Sequence, residues 1–449
     1  MADSLRIGFV PIARPTFDTE LAATLTGQAR RHLARKGWDL YGPEEMVMDM
    51  AAAQTAADDL SDQALDLLLL FQATFADSSM TMALAERLNA PLLLWALPET
   101  PDGGRLRLNS LCGINLSAFS LKKSGRPFHY VYAGPEDRAV LAQVETLARA
   151  GRALRTLRQT QIGVIGQHPD GFDPCHYHAG RLSALLGVGV VPFELPFFFD
   201  KVRAQPPERV EAELARLGEI LPNLPELDQK AVRGTLGSLE ALRDLAQAEA
   251  LGGIAVRCWP EFFTELGCAA CGALSLMSDA GVPCSCEADV NGTITQLILQ
   301  SVGDGPAFGT DLVIADEEDD TVVFWHCGLA PLSMADPSVQ PRGTVHSNRK
   351  LPLLMEFPLK PGRVTIARLS ESGDAGYRLV VGRGEMLARP NSFSGTSGVC
   401  RLDRPVGDVL DVIMGEGLEH HYSITYGDYL APLLVLAEML QLPVVQLTE

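Results

Sequence analysis

Short apolar runs alternate with helical periodicities from the start of the chain. RIGFVPI at 6–12 reads as a strand, and the amphipathic stretch from Phe17 to Lys36, closed by Gly37, reads as a helix. The same rhythm returns in DLLLLFQ (66–72), a helix over 79–89, PLLLWAL (91–97), a helix over 109–122 and FHYVYAG (128–134). Strands this continuously apolar are buried on both faces, which predicts a parallel sheet with helices on either side. A charged helix from Pro135 to Arg158 leads into QIGVIGQ (161–167), an echo of the opening run, where a second α/β domain starts.

That second domain is predicted to place strands at VGVVPFE (188–194), GIAVRCW (253–259) and PCSCEA (283–288), with helices over 206–219, 226–249 and 261–280. Beyond residue 305 the texture changes. DLVIAD, TVVFWHC, LLMEFPL, VTIARL and YRLVVGRGEML are short, alternating and bounded by Gly, Pro, Asn and Ser, with GDAG (373–376) as a hairpin turn. This is the pattern of an antiparallel sheet or small barrel. The final stretch predicts a helix that Asp428 caps and that admits Pro432 in its first turn. The expected fold class is α/β: two doubly wound, Rossmann-like domains (1–158 and 159–304), then an antiparallel β-barrel-like C-terminal domain with a closing helix (305–449).

Composition narrows the partners. Among 449 residues, 56 acidic against 37 basic side chains leave a formal charge of −19, and 47% hydrophobic residues suffice for packed cores in two or three domains. The acidic balance repels phosphate backbones and anionic lipid, so neither a nucleic acid nor a membrane is expected as partner. MADSLRIGFVPIARP lacks the basic-then-apolar layout of an export signal, and the expected location is cytoplasmic. Nine cysteines, an odd number scattered along the chain, are expected to be reduced thiols.

Cys268-x-x-Cys271 and Cys284-x-Cys286 have the spacing of thiolate pairs that build tetrahedral zinc sites. Their small-residue, apolar surroundings favour core thiols instead. Cys286-Glu287-Ala288-Asp289 ends a strand and opens a helix, the position at which open α/β sheets bind ligands. Asp289 is expected to cap that helix; Glu287 serves either the helix dipole or a site. Asp311 is a lone acid in a strand-like run, His326 a lone His in VVFWHCG, and His420-His421 precede the strand SITYG, where adjacent side chains point to opposite faces. Glu, Asp and His arriving from different strand ends form the inventory of a divalent metal site with open positions.

With these residues in view, the chain resembles the L-fucose isomerase/L-arabinose isomerase family of metal-dependent sugar isomerases, nearly end to end. Thr74-Phe75 followed by Pro91 to Trp95 is similar to the segment that carries a Thr-Phe at the family's active-site mouth. Glu287 matches the first carboxylate, Asp311 in FGTDLV the second, His326 in FWHCG a His ligand of the arabinose-type enzymes, and His421 the ligand His near the carboxyl end. The arabinose-type enzymes carry Glu where this chain has Asp311.

The resemblance implies an aldose–ketose isomerase acting on a monosaccharide through a cis-enediol. Glu287 and Asp311 would be catalytic, and Glu287, Asp311, His326 and His421 would hold Mn²⁺ or another divalent ion such as Mg²⁺ or Co²⁺. It also implies a homo-oligomer, trimer or hexamer, with sites at subunit boundaries. Trp95 and Trp259 are candidates to stack on a sugar, and Arg14 and Arg257, at strand ends, to grip an anionic substituent. A neutral deoxy or pentose sugar is expected first and a sulfonated, sulfoquinovose-type sugar second. A metal-dependent lyase or epimerase and a non-catalytic sugar-binding paralogue are the alternatives.

Overall fold

The computed structural model describes residues 4–372 and 376–448, so the GDAG turn lies outside the described residues but for Gly376. The chain forms two compact units, Ala2–Arg155 and Thr156–Glu449.

The first unit is built on strands β1 (Arg6–Ile12), β2 (Asp39–Tyr41), β3 (Leu67–Gln72), β4 (Leu92–Ala96) and β5 (His129–Tyr132). They pair in parallel in the order β2-β1-β3-β4-β5. Every residue of β3 and β4 is buried, as continuous apolar runs require when helices cover both faces. Helix Thr19–Ala34 starts where Asp18 accepts a hydrogen bond from the Leu21 N–H. Two elements carry too weak a pattern to be read from sequence: the three-residue β2 and the helix Met50–Ser61, whose buried side is mostly alanine.

The second unit opens with the same winding. Strands β6 (Gln161–Ile165), β7 (Gly189–Phe193), β8 (Leu251–Val256) and β9 (Cys284–Ser285) pair in parallel as β7-β6-β8-β9. The expected strand at 283–288 shrinks to two residues because the chain turns sharply at Glu287 and Ala288. The helix expected over 261–280 is split into a π-helical turn, Phe262–Leu266, and the helix Cys271–Asp279; Gly267, in the left-handed region at φ 66°, ends the first.

Strands β10 (Phe308–Asp316), β11 (Thr321–His326), β12 (Arg342–Thr344), β13 (Leu354–Pro358), β14 (Gly362–Glu371), β15 (Tyr377–Met386), β16 (Thr396–Leu402), β17 (His421–Tyr426) and β18 (Val444–Gln446) complete the unit. Six of them close an antiparallel barrel in the order β16-β11-β10-β17-β14-β15, with β15 returning to β16. Closure removes the open edges that invite aggregation. Helix Val290–Val302, buried at every residue except Gln300, packs against β8 and β9 on one side and β14 and β17 on the other. It therefore ties the parallel sheet to the barrel. The closing helix, Leu430–Leu440, has Tyr429 rather than Asp428 at its N-cap; Asp428 sits one residue earlier and accepts a 3.4 Å bond from the Leu430 N–H. No described helix is long and apolar enough to cross a membrane.

Gly151 marks a tight contact in the first unit. A Cβ there would lie 1.8 Å from the main-chain oxygen of Asp66, whose buried carboxylate pairs with Arg155 at 2.9 Å. Gly→Ala in a helix interior ordinarily stabilises. Gly151→Ala is expected to do the reverse, destabilising the unit by ~1–3 kcal/mol as an overpacked contact, read as a lower midpoint in urea unfolding.

Candidate active site

Glu287 follows β9 with φ 57°, and Ala288 follows with φ 54°. Two consecutive non-glycine residues in the left-handed region are strained, and such strain collects where a side chain must be aimed. The turn delivers the chain to Asp289, whose Oδ1 caps helix Val290–Val302 by accepting from the Gly292 N–H at 2.8 Å. From the end of β8, Trp259 donates its indole N–H to Glu287 Oε1 at 3.1 Å. The barrel supplies the other half. Asp311 on β10 stands directly across from His421 on β17 in the antiparallel register, so their side chains share one face.

These elements converge on one point. His421 Nε2 lies 3.3 Å from Glu287 Oε2 and 3.5 Å from Asp311 Oδ1. Both carboxylate oxygens are buried without a hydrogen-bond partner. The other imidazole nitrogen, Nδ1, is 2.9 Å from Asp289 Oδ2, which also accepts from Arg368 Nη1 at 2.6 Å. A carboxylate that holds one nitrogen of a histidine so that the other faces a ligand is the usual support of a metal-ligating imidazole. Gly292 makes the room: a Cβ there would fall 2.4 Å from Asp289 Oδ2.

The electrostatics follow. Burial opposes charge on His421, but its contacts with Asp289, Cys175 and Glu287 outweigh that and hold its pKa well above the ordinary value. Burial pushes Glu287 up, yet His421 and the Trp259 N–H bring it below the usual carboxylate range. Asp289, despite complete burial, is held well below that range by Arg368 and His421. Cys175, 3.9 Å from His421 Nδ1, is pushed up to about 11 by burial and stays a thiol. Two orphaned carboxylate oxygens and one oriented imidazole, all within reach of one point, fit a divalent cation.

His326 lies behind this cluster with both ring nitrogens engaged. Nδ1 accepts from the Cys327 N–H at 2.8 Å, leaving Nε2–H to face Cys286 Sγ at 2.9 Å, and burial lowers its pKa so that the ring is neutral. His420 departs from the expected alternation. β17 begins only at His421, so no pleat turns its neighbour away; the two rings lie 4.1 Å apart, and His420 groups with Asp311 and His421 among the residues close enough to share an ion. Arg257 is committed to Glu261 at 2.9 and 3.0 Å and to the carbonyls of Gln167 and His168. In the first unit, Arg14 pairs with Asp77 and donates its main-chain N–H to Thr74 Oγ1, and Phe75 packs on Phe17, all beyond the carboxyl ends of β1 and β3. Trp95 is fully buried inside β4, its indole N–H donating to the Ala133 carbonyl.

Cys268, Cys271, Cys284 and Cys286 are buried free thiols with raised pKa, and among the described residues no group of donors able to hold an ion includes them. Two supporting residues escaped the sequence reading. Arg368 had a signal, being a lone charge inside the apolar run VTIARLS and now 1% exposed. Cys175 had none, because it ends a three-residue 3-10 turn, Asp173–Cys175, too short to carry a pattern.

Residues 8–158 match the family model for the fucose/sulfoquinovose isomerase N-terminal domain, and residues 355–448 match that for the L-fucose isomerase C-terminal domain. With the barrel and the carboxylate pair, they define a sugar isomerase of the aldose–ketose class. Full-length relatives extend the likeness across the whole chain. Sulfoquinovose isomerase from Priestia aryabhattai is 35% identical over 97% of both chains, that from Alkalicoccus urumqiensis 34% over 99% of both, and that from Clostridium sp. (strain MSTE9) 32% over 97% of this chain and 98% of its own. The chain belongs to the fucose isomerase family.

Ligation by His421 requires a neutral ring, so binding a cation must expel its proton. The metal-free fold gains from charged His421 at pH below the unfolded value of ~6.5 and loses that gain as pH rises through the higher folded value. Metal affinity is therefore expected to rise with pH across the neutral range, with proton release on binding. Calorimetric titration with Mn²⁺ in buffers of different ionisation enthalpy measures both; affinity independent of pH would count against His421 as ligand.

Proposed function

We propose that the protein interconverts a sulfonated aldose of the sulfoquinovose type and its ketose, in place of the neutral sugar expected first from sequence. The observation that carries this is the meeting of Glu287 Oε2 and Asp311 Oδ1 at His421 Nε2 in a chain whose full-length relatives are named for that sugar.

Moving a carbonyl between C1 and C2 requires a proton to leave one carbon and reach the other, while the two oxygens exchange theirs. Glu287 and Asp311 approach from two different elements, so each can serve one end of the cis-enediol, and the reverse reaction uses them in the opposite order. The Trp259 N–H restrains Glu287 Oε1, which leaves Oε2 as the free oxygen on that side. Asp289, pinned by Arg368, keeps His421 from rotating away. Glu287, Asp311 and His421 would hold the cation, and an ion bound there supplies positive charge that stabilises the enediolate oxygens. Oxygen-rich ligation favours Mn²⁺, Mg²⁺ or Co²⁺. The family likeness adds a cytoplasmic homo-oligomer, trimer or hexamer, with sites at subunit boundaries; a monomer mass by light scattering would refute that part.

The test is incubation of Mn²⁺-loaded protein with sulfoquinovose in D₂O. Deuterium at C1 of the ketose formed, and at C2 of aldose re-formed from it, is expected, and exhaustive chelation should stop it. Glu287→Gln and Asp311→Asn should each cut kcat by at least ~10²–10⁴ with circular dichroism unchanged, since the amide keeps shape but neither transfers a proton nor ligates well. Full turnover by either variant would remove that residue from the chemistry.

A further inference from the structure

A sulfonated substrate carries a permanent negative charge at the end opposite its reacting carbons, and that charge needs a cation. The two arginines chosen from sequence are both committed to carboxylates, Arg257 to Glu261 and Arg14 to Asp77. Arg368 is buried against Asp289. Arg349 differs from all three.

Arg349 lies in the connection between β12 and β13. Its guanidinium carbon sits 4.8 Å from the centre of the Trp259 ring and 5.2 Å from that of Phe263. Among the described residues none of its side-chain N–H groups reaches a carboxylate or carbonyl oxygen; its single polar side-chain contact is His346 Nε2, at 3.2 Å from Nη1. That contact is not a satisfied hydrogen bond. His346 Nδ1 accepts from the N–H groups of Asn348 and Arg349, so the ring proton resides on Nε2, where Cys327 Sγ at 3.6 Å is its acceptor. The guanidinium and the imidazole N–H meet as two donors, with no oxygen between them.

Its place relative to the reacting groups is set by one side chain. Trp259 gives its N–H to Glu287 Oε1 and its ring face to Arg349, so a single indole separates the catalytic carboxylate from the unpaired cation. We propose that Arg349, seated on Trp259 and Phe263 and flanked by His346, is the sulfonate-binding residue, holding the substrate's charged end while C1 and C2 lie at Glu287 and Asp311. This rests on the sulfonated-sugar reading of the site. The guanidinium fork matches the tetrahedral oxyanion bidentately, and the rings beneath it fix the fork's plane before substrate arrives. Stacking on aromatic faces also spares the cation part of its hydration, which strengthens its hold on an anion. A neutral sugar would leave the same donors unanswered, which is how a polar subsite rejects the analogue lacking its partner.

The experiment compares sulfoquinovose with 6-deoxyglucose, which has a methyl in place of the sulfonated carbon, in the Mn²⁺-loaded wild type, Arg349→Met and Arg349→Lys. Arg349→Met is expected to lower the ratio of kcat/KM for the sulfonated over the neutral sugar about 10- to 100-fold, mainly through KM. Taking a ratio within one preparation cancels any loss of folded protein. Arg349→Lys should recover part of the ratio, since it keeps the charge and loses the fork. Methanesulfonate should compete with sulfoquinovose in the wild type and lose that effect in Arg349→Met. A wild type that prefers the sulfonated sugar and an Arg349→Met variant that keeps the preference would overturn the assignment of Arg349 alone. A wild type without that preference would overturn the substrate reading and this assignment together.

Discussion

The carboxylate of Asp289 joins the fold to the chemistry. One oxygen caps the helix that ties the parallel sheet to the barrel, and the other accepts from Arg368 of β14 and holds His421 of β17. Asp289 and Arg368 are each almost wholly buried, so neither charge is stable without the other. Removing one partner of such a pair typically costs ~3–5 kcal/mol, because the remaining charge stays in low dielectric. Arg368 is further occupied by the Pro174 carbonyl at 3.0 Å and by Glu419 at 3.8 Å, which draws the Cys175 loop and the approach to β17 to the same spot. The fold therefore cannot assemble its barrel and its helix correctly while leaving His421 misoriented.

Around that hub, two geometries of different origin meet. The parallel sheet contributes residues just past the carboxyl ends of β8 and β9, where main-chain pairing has stopped and side chains are free to face a ligand. The barrel contributes by register: Asp311 and His421 are cross-strand partners, so a slip of one residue in either strand would turn one of them away. Sheet ends give freedom of direction, and a closed barrel gives precision of spacing. The strained turn at Glu287 is the adjustment between them, spending backbone conformation to bring the sheet's carboxylate to the barrel's pair.

Much of this was legible in the sequence because its signals are local. Continuous apolar runs marked the buried parallel strands and short alternating runs marked the barrel, whereas a lone acid entering a strand did not by itself mark Asp311, which the family resemblance singled out. What escaped depends on contacts between distant segments. Asp289 was legible as a helix cap, and nothing nearby in sequence reveals that the same carboxylate meets β14 and β17. His420 was misjudged because strand alternation was extended one residue beyond where β17 begins. Arg257 and Arg349 could not be ranked from sequence at all, since pairing decides between them: Glu261 is four residues from Arg257, whereas the partners of Arg349 are aromatic rings from other segments.

The thiols near the site complete the electrostatic argument. Cys175 and Cys286 line the wall that His421 and His326 face; burial raises Cys175 above its ordinary pKa, and contact with Cys258 together with burial raises Cys286. As neutral thiols they add no negative charge to a cluster that already holds three carboxylates. They also keep water from the back of the imidazoles, and a drier surrounding strengthens each remaining charge interaction. The donors left facing the shared point are then carboxylate oxygens and the imidazole nitrogen of His421, with His420 close enough to Asp311 and His421 to join them. On the proposed reading, such a set would leave Glu287 and Asp311 able to pass between ligation and proton transfer, because neither is locked in place by a protein hydrogen bond on its inward oxygen.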